Sequence, residues 1–176
     1  MAPEIRSEIV EVLENSRQEV TTAASGLSDQ HAAISPEPGR WSVLECIEHV
    51  TFVEGRFLGW LEQAKRLETP TVDKEKEARM TAMVTDRSFR AEAPEAARPT
   101  GRFTSLSHAL DEFNAARTRT VRFTEERSGD LYSIEVVHPR FGPMNGAEFV
   151  RIIAGHAQRH AAQIREVRAA LGSAGA

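Results

Sequence analysis

The run GAEFVRIIAGHAQRHAAQIREVRAAL, residues 146–171, decides the fold. Val150, Ile153, Ala157, Ile164, Val167 and Leu171 recur at helical spacings and make one apolar face. The residues that open it, Asn145-Gly146-Ala147-Glu148, have capping-box form, and Gly172 reads as its terminator. Set into the same face are His156 and His160. Residues four apart on a helix stack with Cβ atoms about 5–6 Å apart, so two imidazoles so placed can converge on one ion. The pattern is short, and by itself it also fits a helix with two partly exposed histidines. Its position tells more, because neutral imidazoles in a core need partners for their ring nitrogens. A metal would satisfy one nitrogen of each, and a third ligand would have to come from another segment.

Working outward, three further segments carry the same period. Residues 42–66 open on Ser42-Val43-Leu44-Glu45, a second capping box, with Trp41 placed to staple onto Cys46. Ile47, Val50, Phe57, Leu58 and Leu61 supply the core stripe. Residues 104–127 carry Leu106, Leu110, Phe113 and Phe123. Residues 4–25 carry Ile5, Ile9, Val12, Ser16 and Val20, ending at Ser25-Gly26. The link 26–41 is irregular, with Pro36, Pro38 and Gly39. The link 67–103 is long, with a short helix expected near 74–84; a connection of that length frees the second and third helices from being antiparallel neighbours. Tyr132 to Val137 reads as a brief extended piece. The expectation is an all-α four-helix bundle with a long crossover between helices 2 and 3, residues 1–176 forming a single domain.

Composition narrows the function. With 22 basic and 26 acidic residues the net charge is -4, and no basic run marks a nucleic-acid footprint. No apolar run approaches the roughly 18 residues that span a bilayer, and the acidic amphipathic N-terminus lacks a signal core. The expectation is a cytoplasmic protein with neither nucleic acid nor membrane as partner. One cysteine, Cys46, excludes an internal disulfide and a multi-cysteine zinc site.

His49 is the candidate third ligand: it lies beside Val50 near the firm start of the second helix and faces inward if that helix borders the fourth. It also fits a core histidine bonded to a carbonyl. Three histidines on two helices would make an open three-ligand site of the kind that leaves room for water or substrate. Cys46 shares His49's face and is expected to act as a small hydrophobe. Glu45 is assigned to the cap. Glu54 falls on the apolar stripe and is a candidate pocket acid that needs a partner. His31 is placed in a loop, His108 on a wet face and His138 near a pocket mouth, none of them metal ligands. Arg117, Arg119, Arg151, Arg159 and Arg165 read as solvated faces, of which one or two could receive an anionic substrate group.

The run Pro36-Glu37-Pro38-Gly39-Arg40-Trp41-Ser42-Val43-Leu44-Glu45-Cys46-Ile47-Glu48-His49 resembles the second-helix entry of the DinB/YfiT-like superfamily. Ala93-Pro94-Glu95 through Pro99-Thr100-Gly101-Arg102-Phe103 resembles its lead into the third helix. His138-Pro139-Arg140-Phe141-Gly142, with Glu148 and the His156 to Ile164 run, resembles its last helix. The resemblance spans nearly the whole chain and implies a four-helix bundle holding a divalent metal, zinc or nickel, on His49, His156 and His160. It also implies a homodimer and a small-molecule substrate. Some members of the family transfer a low-molecular-weight thiol, so the resemblance implies a metal-dependent thiol S-transferase. A hydrolase that activates water and a non-enzymatic metal-binding stress-response module are the alternatives. A wet, substrate-sized cleft beside the metal would favour an enzyme, and a sealed site a structural role.

Overall fold

The computed structural model describes residues 3–88 and 92–174. Four long helices form a ring. Helix α1 (Pro3–Ala24) borders α6 (Gly146–Ala174) and α5 (Leu106–Glu126), and α3 (Val43–Glu62) borders the same two. Side-chain contacts set their directions. Glu8 meets Arg151 and the Ala23 carbonyl meets Arg168, so α1 and α6 run parallel. His49 meets His160 while Phe57 meets Phe149, so α3 and α6 run antiparallel. Leu13 lies at Arg117, whereas Val20, Ala23 and Ala24 share a core with Leu106, Ala109 and Phe113, so α1 and α5 run antiparallel. It follows that α3 and α5 are parallel neighbours, a pairing that no short loop can make. Residues 63–105 make it, as the expected long crossover.

The crossover is itself built. Lys65–Arg66 form a short strand, β1, and α4 (Lys74–Thr85) packs on α6. Gly155 of α6 permits the approach: a Cβ there would lie 3.2 Å from Val84. A 3-10 turn at Glu95–Ala97 then leads to α5. The extended piece expected at 132–137 begins only at Ile134, because Tyr132 and Ser133 belong to a 3-10 turn; it is β2 (Ile134–His138), hairpinned to β3 (Gly142–Asn145). Strand β2 also pairs with β1, giving a three-stranded antiparallel sheet in the order β1-β2-β3. His138 pairs with Gly142 across the hairpin, whose return needs the positive φ of 72° that glycine adopts freely.

Both capping boxes form. Ser42 Oγ accepts from the Glu45 amide at 3.2 Å while Glu45 Oε2 accepts from the Ser42 amide at 2.7 Å. Asn145 and Glu148 make the same reciprocal pair at 2.8 and 2.9 Å. Several expectations are corrected. The second helix ends at Glu62 rather than 66, because Lys65 and Arg66 are drawn into the sheet. Residues 29–32 of the first link form one helical turn, α2 (Asp29–Ala32), capped by Ser28, and His31 sits on it rather than in a loop. Gly172 does not stop the last helix, which continues to Ala174. The side chain of Ile5 lies outside those described. Among the described residues, no helix is long and apolar enough to cross a membrane.

The core has two parts. One, toward the C-terminal end of α1, joins Val20, Ile47, Val50, Phe113 and Ile164. The other joins Ile9, Leu13, Leu61, Phe149 and Ile152 beneath the sheet.

Candidate metal centre

Helix α3 presents His49, and α6 presents His156 and His160 one turn apart on the opposing face. Because the two helices are antiparallel neighbours, the three imidazoles meet: one ring nitrogen from each lies within 4.8 Å of the others. Their centroids are 4.6–5.1 Å apart. His49 and His160 are buried and His156 is partly buried.

The nitrogens are in the state a metal needs. His49 Nδ1 donates to the Ala97 carbonyl at 2.6 Å, which leaves Nε2 with its lone pair when the ring is neutral. That Nε2 faces His156 Nε2 at 3.2 Å. Two nitrogens on a tetrahedral ion at about 2.0–2.1 Å stand roughly 3.4 Å apart, so this spacing suits a shared ion. Burial lowers the pKa of all three below the ordinary histidine value. The neighbouring imidazoles and Arg159 lower His156 and His160 further, while the Ala97 hydrogen bond opposes the shift at His49. Neutral imidazole is the ligating form. Finally, His160 Nδ1 is buried with no hydrogen-bond partner among the described residues, a condition that costs about 1–3 kcal/mol unless an ion or water meets the cluster. The donor set and its unmet nitrogen both fit a divalent ion.

Two supports were not read from the sequence. Glu48, one residue before His49, accepts from the Thr100 amide (2.7 Å), the Thr100 hydroxyl (3.0 Å), the Gly101 amide (3.0 Å) and the Arg102 amide (2.9 Å). Burial alone would raise its carboxyl; the hydrogen bonds from Thr100, Arg102 and Gly101 together hold it below the usual range. Gly101, at φ 80°, lets successive amides turn toward one acceptor. Glu48 thereby anchors the segment whose Ala97 carbonyl fixes His49. The acid's adjacency to a candidate ligand was visible in the sequence; a backbone carbonyl 48 residues away was not. Trp41, expected as a staple on Cys46, packs against the core cluster that contains Cys46 and also lies over the imidazoles, 4.8 Å from His49 and stacked at 6.1 Å on His160.

The histidines line a cavity of about 1090 Å³. Its wall carries Trp41, Phe57, Trp60 and Phe141, and His138, at the end of the hairpin strand β2, lines it too. His138 Nδ1 accepts from the Arg140 and Phe141 amides, so in the neutral ring the proton sits on Nε2. Burial and Arg140 lower its pKa.

The remaining candidates sort themselves. Glu54 is no pocket acid: both its oxygens are taken by Arg117, at 2.7 and 2.9 Å. Arg117 is not on a solvated face but fully buried, and its remaining Nη1 reaches the Leu13 carbonyl and Ser16 Oγ. Arg151 is likewise buried, paired with Glu77 and Glu8. Arg119, Arg165 and His108 are exposed as expected. Cys46 is sealed in the core, where burial and the charge of Glu45 push its thiol far up. Glu45 serves the cap.

Comparison with known proteins gives the chain its relatives. The family model of the DinB superfamily matches residues 13–164. The uncharacterised protein YuaE of Bacillus subtilis (strain 168) is 22% identical over 157 residues, which is 89% of this chain and 95% of that protein. A solved structure, described as "YfiT from Bacillus subtilis is a probable metal-dependent hydrolase with an unusual four-helix bundle topology", superposes with a TM-score of 0.63 at 14% identity. The match covers 98% of this chain and 90% of that one, a likeness of fold.

Proposed function

The chain belongs to the DinB superfamily, and from that premise we propose that it is a metal-dependent hydrolase whose divalent ion, zinc or nickel, is held by His49, His156 and His160. The observation that carries the reading is the meeting of three neutral imidazoles, one nitrogen of each within 4.8 Å of the others, on the wall of a substrate-sized cavity. A structural ion would be walled in; here the ligands line a space of about 1090 Å³, slightly above the roughly 300–1,000 Å³ typical of ligand sites. The description of YfiT as a probable metal-dependent hydrolase supports the same class. Thiol transfer rests on family resemblance alone.

A divalent ion on these nitrogens would supply Lewis-acid activation, making water a nucleophile near neutral pH. The chain's own residues prepare the place. The Ala97 carbonyl holds the proton on His49 Nδ1 and so turns a lone pair inward. Glu48 holds the segment that bears that carbonyl. Burial keeps the imidazoles unprotonated, and Trp41 covers His49 and His160. His138, with its proton on Nε2, is the cavity's available proton carrier.

The test is direct. The purified chain should carry about one divalent ion, and His156→Ala or His160→Ala should abolish most of it, since two remaining ligands hold an ion poorly. His49→Ala should keep helical circular dichroism while losing metal-dependent cleavage of chromogenic ester, amide and phosphoester panels. Unchanged metal content in both α6 variants would refute the site. Loss of most helical signal on chelation would assign the ion a structural role instead.

A further inference from the structure

The same cavity carries a charge that the three histidines do not explain. Across the chain acids outnumber bases, 26 to 22. On the cavity wall the balance reverses: Arg40, Arg56, Arg87, Arg98, Arg140 and Arg159 stand against Glu92 and Glu166. Glu166 is already engaged, bidentate with Arg87 and 3.9 Å from Arg40. Arg56 lies over the Trp60 ring at 5.2 Å. Neither Arg56 nor Arg98 has a carboxylate within ion-pair reach among the described residues.

Isolated surface arginines are ordinarily just solvated. Arg56 and Arg98 are exposed, but both line a concavity with a largely aromatic wall, and such a space focuses the field of like charges onto whatever enters. Among the described residues of the wall, the six permanently charged cations are all arginine and none is lysine. The planar guanidinium fork matches carboxylate and phosphate oxygens two at a time. Beside the arginines the wall is aromatic, through Trp41, Phe57, Trp60 and Phe141, which suits a flat apolar body.

Building on the hydrolase reading, we propose that the substrate is a small anion, a carboxylate or phosphate on an apolar body, with its charged end received by Arg56 and Arg98. The aromatic wall holds the body, and the arginines select against neutral analogues of the same shape.

The chain's two tryptophans, Trp41 and Trp60, both line the cavity, so intrinsic fluorescence reports on this space. Benzoate, phenylphosphonate and neutral benzamide are titrated into chelator-treated and zinc-loaded protein at low salt. Both anions should give saturable changes in both forms, with benzamide about tenfold weaker or worse, as expected when a charge-assisted contact is absent. The order of benzoate and phenylphosphonate tells carboxylate from phosphate preference. Arg56→Gln with Arg98→Gln should weaken the anions about tenfold in both forms and leave benzamide unchanged. Equal affinity for benzoate and benzamide, or no saturable response, overturns the proposal. So does anion binding that needs zinc and ignores the arginine substitutions, which would assign the anion to the ion. If elemental analysis shows that no metal binds, the hydrolase reading fails while the chelated arm still decides this one.

Discussion

Two of the buried polar groups on helix α3, His49 and Glu54, lie five residues apart and are finished differently. At Glu54 every site is filled: Arg117 spans both carboxylate oxygens, and its remaining nitrogen reaches Leu13 and Ser16. At His49 the partners are incomplete. Its Nε2 meets another imidazole nitrogen at 3.2 Å, and His160 Nδ1 has no hydrogen-bond partner among the described residues. The first cluster is closed, tying α1, α3 and α5 together. The second opens on a cavity. Buried polar groups that satisfy one another hold a fold, whereas groups that leave capacity unused await something the chain does not supply.

The largest expected effect tests the closed cluster. Glu54→Ala strands Arg117, a fully buried cation, and should destabilise the fold by about 3–5 kcal/mol. Urea unfolding measures it. Replacing both partners with apolar residues, Glu54→Leu with Arg117→Met, should recover most of the loss, because the desolvation cost then disappears. Metal content per folded molecule should stay that of the wild type in each variant. If Glu54→Ala instead strips the metal and barely changes stability, the two clusters are not the separate units described.

The contrast also explains what could be read from the sequence. The capping boxes at Ser42 and Asn145 were legible because their partners lie three residues apart. The His156–His160 pair was legible because helical spacing alone puts both rings on one face. His49 needed one further inference, that α3 and α6 are neighbours. Arg117 was misread because the buried face of α5 hides polar residues. Thr120 and Thr124 are fully buried, their hydroxyls donating to the Ala116 and Thr120 carbonyls one turn back, so their polarity is spent inside the helix. Of the expected anchors, Leu106 and Phe113 lie on the buried face, which runs Leu106, Ala109, Phe113, Ala116, Arg117, Thr120, Thr124, while Leu110 and Phe123 pack against the core only partly buried. Glu48 and Ala97 were illegible for a different reason: their role depends on a backbone carbonyl and amides brought in by the crossover, and backbone groups leave no trace in residue type.

A smaller effect sharpens the open cluster. Glu48 touches none of the imidazoles through the hydrogen bonds described, yet its carboxylate anchors the segment that orients His49. Partners of this kind are worth about 10–100-fold in metal affinity. Glu48→Gln, whose amide cannot accept from all four donors, should weaken zinc binding by that order in competition with a chromophoric chelator. Helical circular dichroism should be unchanged. Unaltered zinc affinity would mean that the Ala97 contact does not depend on this anchor.

A pH-graded effect follows from the protonation state of the open cluster. In chelated protein, burial first, and then neighbouring imidazoles and Arg159, lower His156 and His160 well below 6.5; burial lowers His49 against its Ala97 hydrogen bond. The unfolded chain takes up these protons near 6.5, and the folded chain only at lower pH. Above 6.5 both states are neutral there, and the folded protein keeps its full stability. As pH falls below 6.5 the unfolded state binds more protons, so stability falls, by up to about 1.4 kcal/mol per pH unit for each histidine. His138, also lowered, acts in the same direction. Glu48, whose pKa is lowered from 4.5, adds its loss only below that value, so the interval between about pH 6.5 and 4.5 belongs to histidines. Urea midpoints of chelated wild type should therefore be flat from about pH 8 to 7 and fall toward pH 5. A variant carrying both His156→Ala and His160→Ala should fall less steeply, since two of the shifted groups are gone. Zinc should restore the wild-type midpoint most at neutral pH, where protons do not compete for the nitrogens. Equal slopes in the two chelated proteins would show that the imidazoles are not held neutral by the fold, and the distinction between a filled cluster and one poised for an ion would lose its chemical basis.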